Sequence, residues 1–172
     1  MIRAFPVPRT FWTSSLLTAE VAELLRPNSL GTTLIITVGN DFRSDDGVGP
    51  YIAGKCPKLK AGYRLLNAKD QPENIIDQAI AARPAKVILI DGADFRGQPG
   101  EARIVKKAEI PQQTLSTHIF PLNIIAEMIE KEVGAPVWFL GVQAKNLEFG
   151  EKLSEEVAAT AEEIIKYLNE GE

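Results

Sequence analysis

The 172-residue sequence is sparing with the residues that announce familiar chemistries. Its one cysteine, Cys56, cannot form an internal disulfide, so nothing ties the chain to an oxidising compartment. It has one histidine, His118, and aromatic residues make up 7% of the chain. No apolar run approaches the roughly 18 residues that suggest a membrane span. The only apolar patch near the N-terminus is interrupted by Glu20 and Glu23, unlike a secretory core. There is no basic excess, since the formal charge is −4, which gives no electrostatic reason to expect nucleic acid or anionic lipid as a partner. The expected location is the cytoplasm. Nor is there a glycine-rich phosphate cradle with a lysine.

What the chain does have is the stretch Leu34-Ile35-Ile36-Thr37-Val38-Gly39-Asn40, then Ser44-Asp45-Asp46-Gly47-Val48-Gly49. Its mostly β-branched opening reads as a strand buried on both faces, stopped by Gly39-Asn40, whose backbones tolerate a tight turn. Two aspartates then stand where a helix should begin. This is the opening βα unit of an open α/β sheet, in which ligands bind beyond the carboxyl ends of the strands.

The rest alternates in the same manner. Residues 1–30 read as an appendage with a short amphipathic helix starting near Ser14 or Ser15, packed on the body through Leu16, Leu17, Val21, Leu24 and Leu25. Residues 31–172 read as a single α/β domain. Strands are expected at Leu34–Val38, Tyr63–Leu66, Lys86–Ile90, Ala102–Val105 (an edge strand) and Val137–Val142. Helices are expected from Asp46 to Cys56, Glu73 to Ala82, about Phe120 to Val133 and about Ser154 to Asn169. Strands separated by helices need crossovers, hence a mostly parallel twisted sheet of about five strands.

Four positions are candidates for chemistry. Of the aspartate pair, Asp45 is the better helix cap by position, and Asp46 is left for another role. Asp91 closes an apolar run and so sits at the mouth of the sheet, with capping of the turn Asp91-Gly92-Ala93-Asp94 as the plain alternative. His118 lies in a loop before a helix. Two carboxylates and one imidazole from three loops form a sparse donor set suited to zinc, nickel or manganese. Such a set leaves positions open for a ligand brought by a substrate. Cys56, between Lys55 and Pro57 at a helix end, reads as a small packed side chain rather than a nucleophile.

Gly39-Asn40, Asp45-Asp46-Gly47-Val48-Gly49, Pro72-Glu73-Asn74, Ile90-Asp91, Pro99-Gly100-Glu101, Ser116-Thr117-His118 and Leu140-Gly141-Val142-Gln143 follow one another in an order that resembles the hydrogenase maturation endopeptidases. The resemblance spans roughly residues 32–168 and is nearest to the branch that processes hydrogenase 3. It implies a three-layer α/β/α sandwich. It implies an endopeptidase that removes the C-terminal peptide from a nickel–iron hydrogenase large-subunit precursor after nickel insertion. The family's three metal-contacting positions fall on Asp46, Asp91 and His118, which would be both catalytic and metal-binding. The metal would be nickel carried by the substrate, and zinc or cadmium could take the same place. The partner is then the precursor, met by a monomer. A non-catalytic nickel-dependent checkpoint or chaperone binding the same precursor is the alternative. The chain departs from the family at Asn67-Ala68-Lys69, where Asp-Gly-Gly is usual, at Gly92, where alanine is common, and at Ala144, where proline is frequent. The last two changes are expected to matter little.

Overall fold

The computed structural model describes residues 15–105 and 122–169. His118, with Ser116 and Thr117, lies outside them, as do the first 14 residues and Phe120. Among the described residues five strands form one sheet: β1 (Thr33–Val38), β2 (Tyr63–Lys69), β3 (Lys86–Ala93), β4 (Ala102–Val105) and β5 (Val137–Gln143). Their order is β2-β1-β3-β5-β4, with β4 antiparallel to β5 and the other pairs parallel. The helices are α1 (Ala19–Leu25), α2 (Val48–Lys55), α3 (Ile76–Ala81), α4 (Leu122–Val133) and α5 (Glu155–Asn169).

Strand alternation divides the core into two halves, one on each face of the sheet. Leu34, Ile36 and Val38 of β1, Val87 and Leu89 of β3, and Val137 and Phe139 of β5 pack with Ala79 of α3 and Ile125, Ala126 and Ile129 of α4. Ile35, Ile88, Ile90, Leu140 and Val142 point the other way, onto Ile52 of α2 and Val157, Ala161, Ile164 and Leu168 of α5. All six residues of β1 are buried, as a central parallel strand covered by helices requires. This is the expected three-layer sandwich. Val21, Leu24 and Leu25 of α1 belong to the second half of the core. That helix begins later than Ser14 or Ser15, because Thr18 supplies the cap: its hydroxyl accepts the Val21 amide at 3.2 Å. At the other end Lys86 Nζ donates to the carbonyls of Leu24 (2.7 Å) and Arg26 (2.6 Å).

Other boundaries shift for local reasons. The helix expected from Asp46 opens with a 3-10 turn, Ser44–Gly47, before α2 begins at Val48. Pro72–Ile75 is likewise a 3-10 turn ahead of α3. The strand expected to close at Ile90 continues through Asp91, Gly92 and Ala93, which pair with Gly141, Val142 and Gln143. Asp91 is therefore inside a strand, ahead of the turn it was expected to cap. That task falls to Asp94, whose Oδ1 accepts the Arg96 amide at 3.0 Å.

Candidate active site

β1 leads into α2 on one face of the sheet, whereas α4, the next described helix after β3 and β4, lies on the other, so the carboxyl ends of β1 and β3 form a switch point. A ligand site belongs at that switch point. β1 ends at Val38 and runs through Gly39 into the Ser44–Gly47 turn, while the end of β3 carries Asp91 to the same switch point. The turn can settle there only because glycines lie beneath it. A Cβ on Gly39 (φ +138°) would meet the Asp46 carbonyl oxygen at 1.9 Å, and one on Gly49 would meet the Val38 oxygen at 2.0 Å. A Cβ on Gly92 would stand 2.7 Å from the Asp45 oxygen and 3.3 Å from the Asp46 Cα. The expectation that alanine is interchangeable at Gly92 is thus corrected: the carbonyl it would meet is backbone and must move.

The two aspartates divide their work. Asp45 is fully buried and does not cap the turn, which has no side-chain cap. Its carboxylate reaches across to the loop after β5, accepting the amides of Lys145 and Asn146 (both 2.8 Å) and both the amide (2.7 Å) and hydroxyl (2.8 Å) of Ser154. Four charge-assisted bonds make it a clamp between two loops. Asp46, also buried, accepts the Asn40 amide on Oδ2 at 3.1 Å. It stands close enough to Asp91 for the two charges to be felt. Burial pushes the Asp91 carboxyl well above the usual carboxylate range, the Asp46 charge pushes it the same way, and the Gly92 amide pulls partly back.

Two buried acids of like charge at one sheet edge suit a divalent cation, which would offset both the repulsion and the desolvation. Among the described residues no three metal-ligating side chains converge. The expected third member, His118, lies outside those residues. Cys56 belongs elsewhere: it caps the far end of α2, about 12 Å along that helix from the turn. Burial pushes its thiol up to about 11, in keeping with a packed side chain.

The sequence motif Leu140-Gly141-Val142-Gln143 includes Gln143 without giving it a role. Its Oε1 accepts the amides of Phe95 and Gly97 (both 3.0 Å), and its Nε2 donates to Asp94 Oδ1 (3.1 Å) and the Ala144 carbonyl (2.8 Å). One buried side chain thereby shapes the loop after β3. A polar residue closing an apolar strand was the signal. Ala144 extends the same arrangement, since its amide donates to the Ala93 carbonyl at 2.9 Å, a bond a proline could not make. Its effect reaches the end of β3 as well as the loop.

Residues 55–170 match the sequence profile described as HycI, hydrogenase maturation protease. The chain belongs to the hydrogenase maturation protease family. The hydrogenase 3 maturation protease of Escherichia coli is 29% identical over 139 residues, covering 80% of this chain and 88% of that protein. The solution structure of the endopeptidase HycI from Escherichia coli superposes with a TM-score of 0.71 at 29% identity, covering 80% of this chain and 88% of that one. The crystal structure of the NiFe hydrogenase maturation protease HycI from Thermococcus kodakarensis gives the same TM-score at 28% identity, covering 86% and 95%. As a hydrogenase maturation protease the chain is a peptide-bond hydrolase, an endopeptidase acting in hydrogenase processing.

The Asn67-Ala68-Lys69 turn, where the resemblance leads one to expect Asp-Gly-Gly, has its own bonding. Lys69 adopts φ +51°, a conformation that favours glycine, and its carbonyl accepts the Gly39 amide at 2.9 Å. Asn67 Oδ1 accepts the Thr37 hydroxyl (3.3 Å) and the Lys69 amide (3.2 Å).

Proposed function

We propose that this endopeptidase removes the C-terminal peptide from a nickel–iron hydrogenase large-subunit precursor after nickel insertion. In this reading Asp46, Asp91 and His118 complete the coordination of nickel already held by the precursor. The observation that supports it most is the buried pair Asp46 and Asp91 at the β1–β3 switch point, where one carboxyl resists ionising until positive charge arrives. Nickel delivered by the precursor is that charge, so a correctly loaded substrate is recognised by the acids it satisfies. The metal fastens the precursor with its scissile peptide beside the site and polarises the carbonyl or a water. The alternative within this reading is that one of the two carboxylates, instead of relying on the metal alone, acts as general base through a water.

The test is a gel-shift cleavage assay on the cognate precursor, nickel-loaded and nickel-free, with wild type and Asp46→Asn. Asparagine keeps an oxygen for the Asn40 amide and loses the charge. Shortening that needs both nickel and the Asp46 carboxylate is the expected result. Shortening by Asp46→Asn at the wild-type rate would refute the assignment. A second reading, a nickel-dependent checkpoint that binds the precursor without cutting it, has one feature in its favour: Asn67 stands where the family usually has a carboxylate. Nickel-dependent binding without shortening would decide for it.

A further inference from the structure

Two phenylalanines on loops hydrogen-bonded to the acid turn are left in water. Phe149 is 88% exposed and Phe42 is 64% exposed, although folding favours removing such surface from solvent. They sit on loops that are firmly joined. Arg43 and Gly150 form a parallel bridge, in which the Gly150 amide donates to the Phe42 carbonyl (3.0 Å) and the Ser44 amide to the Gly150 carbonyl (2.7 Å). Phe42 and Phe149 are the residues that immediately precede the two bridge partners. The Arg43 side chain donates to the Leu147 carbonyl through Nε (3.3 Å) and Nη2 (3.0 Å), and its guanidinium stands 5.9 Å from the Phe149 ring centre.

This aromatic pair is continuous with the site. The Asp46 amide donates to the Arg43 carbonyl at 3.0 Å, and the Asp45 carboxylate holds the amides of Lys145 and Asn146 at the root of the second loop. The acids and the phenylalanines thus ride on one hydrogen-bonded assembly. We propose that Phe42 and Phe149 are the docking surface for the polypeptide substrate, taking an apolar side chain of the precursor while the acids take its metal. This rests on the function proposed above. A precursor whose metal reaches Asp46 comes near the loops that present Asp46. Because those loops are already braced, little ordering is left to oppose binding. Asp41 and Glu148, each exposed and each preceding one of the phenylalanines in the chain, put negative charge on both loops, which selects against an acidic segment. The occupant is therefore an apolar stretch with neutral or basic neighbours.

The test compares wild type with Phe42→Ser, Phe149→Ser and the double variant on the nickel-loaded precursor, with KM and kcat read separately. Loss of a contact made equally in ground and transition states raises KM by about tenfold per phenylalanine and leaves kcat within about twofold. Phe149→Leu, which keeps an apolar surface, restores most of the loss, and melting temperatures stay at the wild-type value because both rings are exposed. A double variant with wild-type KM would overturn the proposal. Should wild type bind the precursor without cutting it, the endopeptidase reading fails alone, and Kd replaces KM under the same criterion. A wild type that neither cuts nor binds overturns both. A dimer in sedimentation that the double variant splits would also overturn it, giving the surface to a second copy of this chain.

Discussion

Asp45 and Ser154 stand 109 residues apart in sequence, yet Ser154 gives both its amide and its hydroxyl to the Asp45 carboxylate. Together with the amides of Lys145 and Asn146, this makes Asp45 the joint between the Ser44–Gly47 turn and the loop leading into α5. Removing the carboxylate strands those donors in a buried place. Asp45→Ala should therefore destabilise by about 2–4 kcal/mol, since each bond to a buried charge contributes about 1.5–3 kcal/mol and relaxation recovers part. At about 2–4 °C per kcal/mol the melting temperature falls by about 5–15 °C. Ser154→Ala removes only the hydroxyl and should cost about 1 kcal/mol. Thermal unfolding of the two variants checks the ranking, and equal losses would contradict it.

Gly92 is the floor on which the acid turn rests. Gly92→Ala puts a methyl group against the Asp45 carbonyl, where the built distance is 2.7 Å, so the turn must rise or β3 must yield. Overpacking of this kind costs about 1–3 kcal/mol. The displacement also separates Asp46 from Asp91, so precursor cleavage should fall by more than stability accounts for. Cleavage measured well below the melting transition separates the two effects. A variant with wild-type stability and activity would show that the floor is soft.

How much of this was legible beforehand follows from the range of the interactions. The strand cores at Leu34–Val38, Lys86–Ile90 and Val137–Val142 were readable because apolar runs report burial directly. The alternation of strands and helices then implied the parallel sheet, and that topology brought Asp46 and Asp91 to one edge. What stayed hidden were contacts between segments far apart in the chain. The four bonds to Asp45 come from residues 100 or more positions away, so a local capping role was the natural reading for a residue at a helix start. The closeness of Gly92 to Asp45 depends on how the turn settles on the sheet, which no local pattern encodes. The extension of β3 past Ile90 depends on partners supplied by β5, and so its end was placed three residues early.

Lys86 links the N-terminal helix to the sheet. A cation at a helix C-terminus satisfies carbonyls that have no partner within the helix, and Lys86 reaches two, Leu24 and Arg26. Lys86→Met keeps the apolar stem and loses both bonds. Local opening of α1 should become easier by about 1–2 kcal/mol, and hydrogen exchange at the Val21–Leu25 amides should speed up about tenfold. Exchange within β1 should not change. Acceleration spread evenly over the sheet would instead mean that Lys86 supports the whole fold.

Asp91 should make the metal-free protein less stable as pH rises. In the unfolded chain its carboxyl titrates near pH 3.9. In the folded chain burial and the Asp46 charge hold the proton to well above that value. Between the two values the native state binds more protons than the unfolded state, so this group's contribution to stability declines with increasing pH. Below about pH 3.9 both states are protonated and the penalty is absent. Above the folded value it is complete. Asp91→Asn has no such penalty, so its melting temperature should match wild type near pH 4 and exceed it by a margin that widens through neutrality. Each kcal/mol of penalty appears as about 2–4 °C. Zinc or nickel ions that bind the native acids should narrow the margin by stabilising wild type alone. Equal melting temperatures from acid to neutral pH, or a wild type that gains on the variant as pH rises, would mean that Asp91 ionises in the fold without cost and would remove the electrostatic reason for a cation at this site.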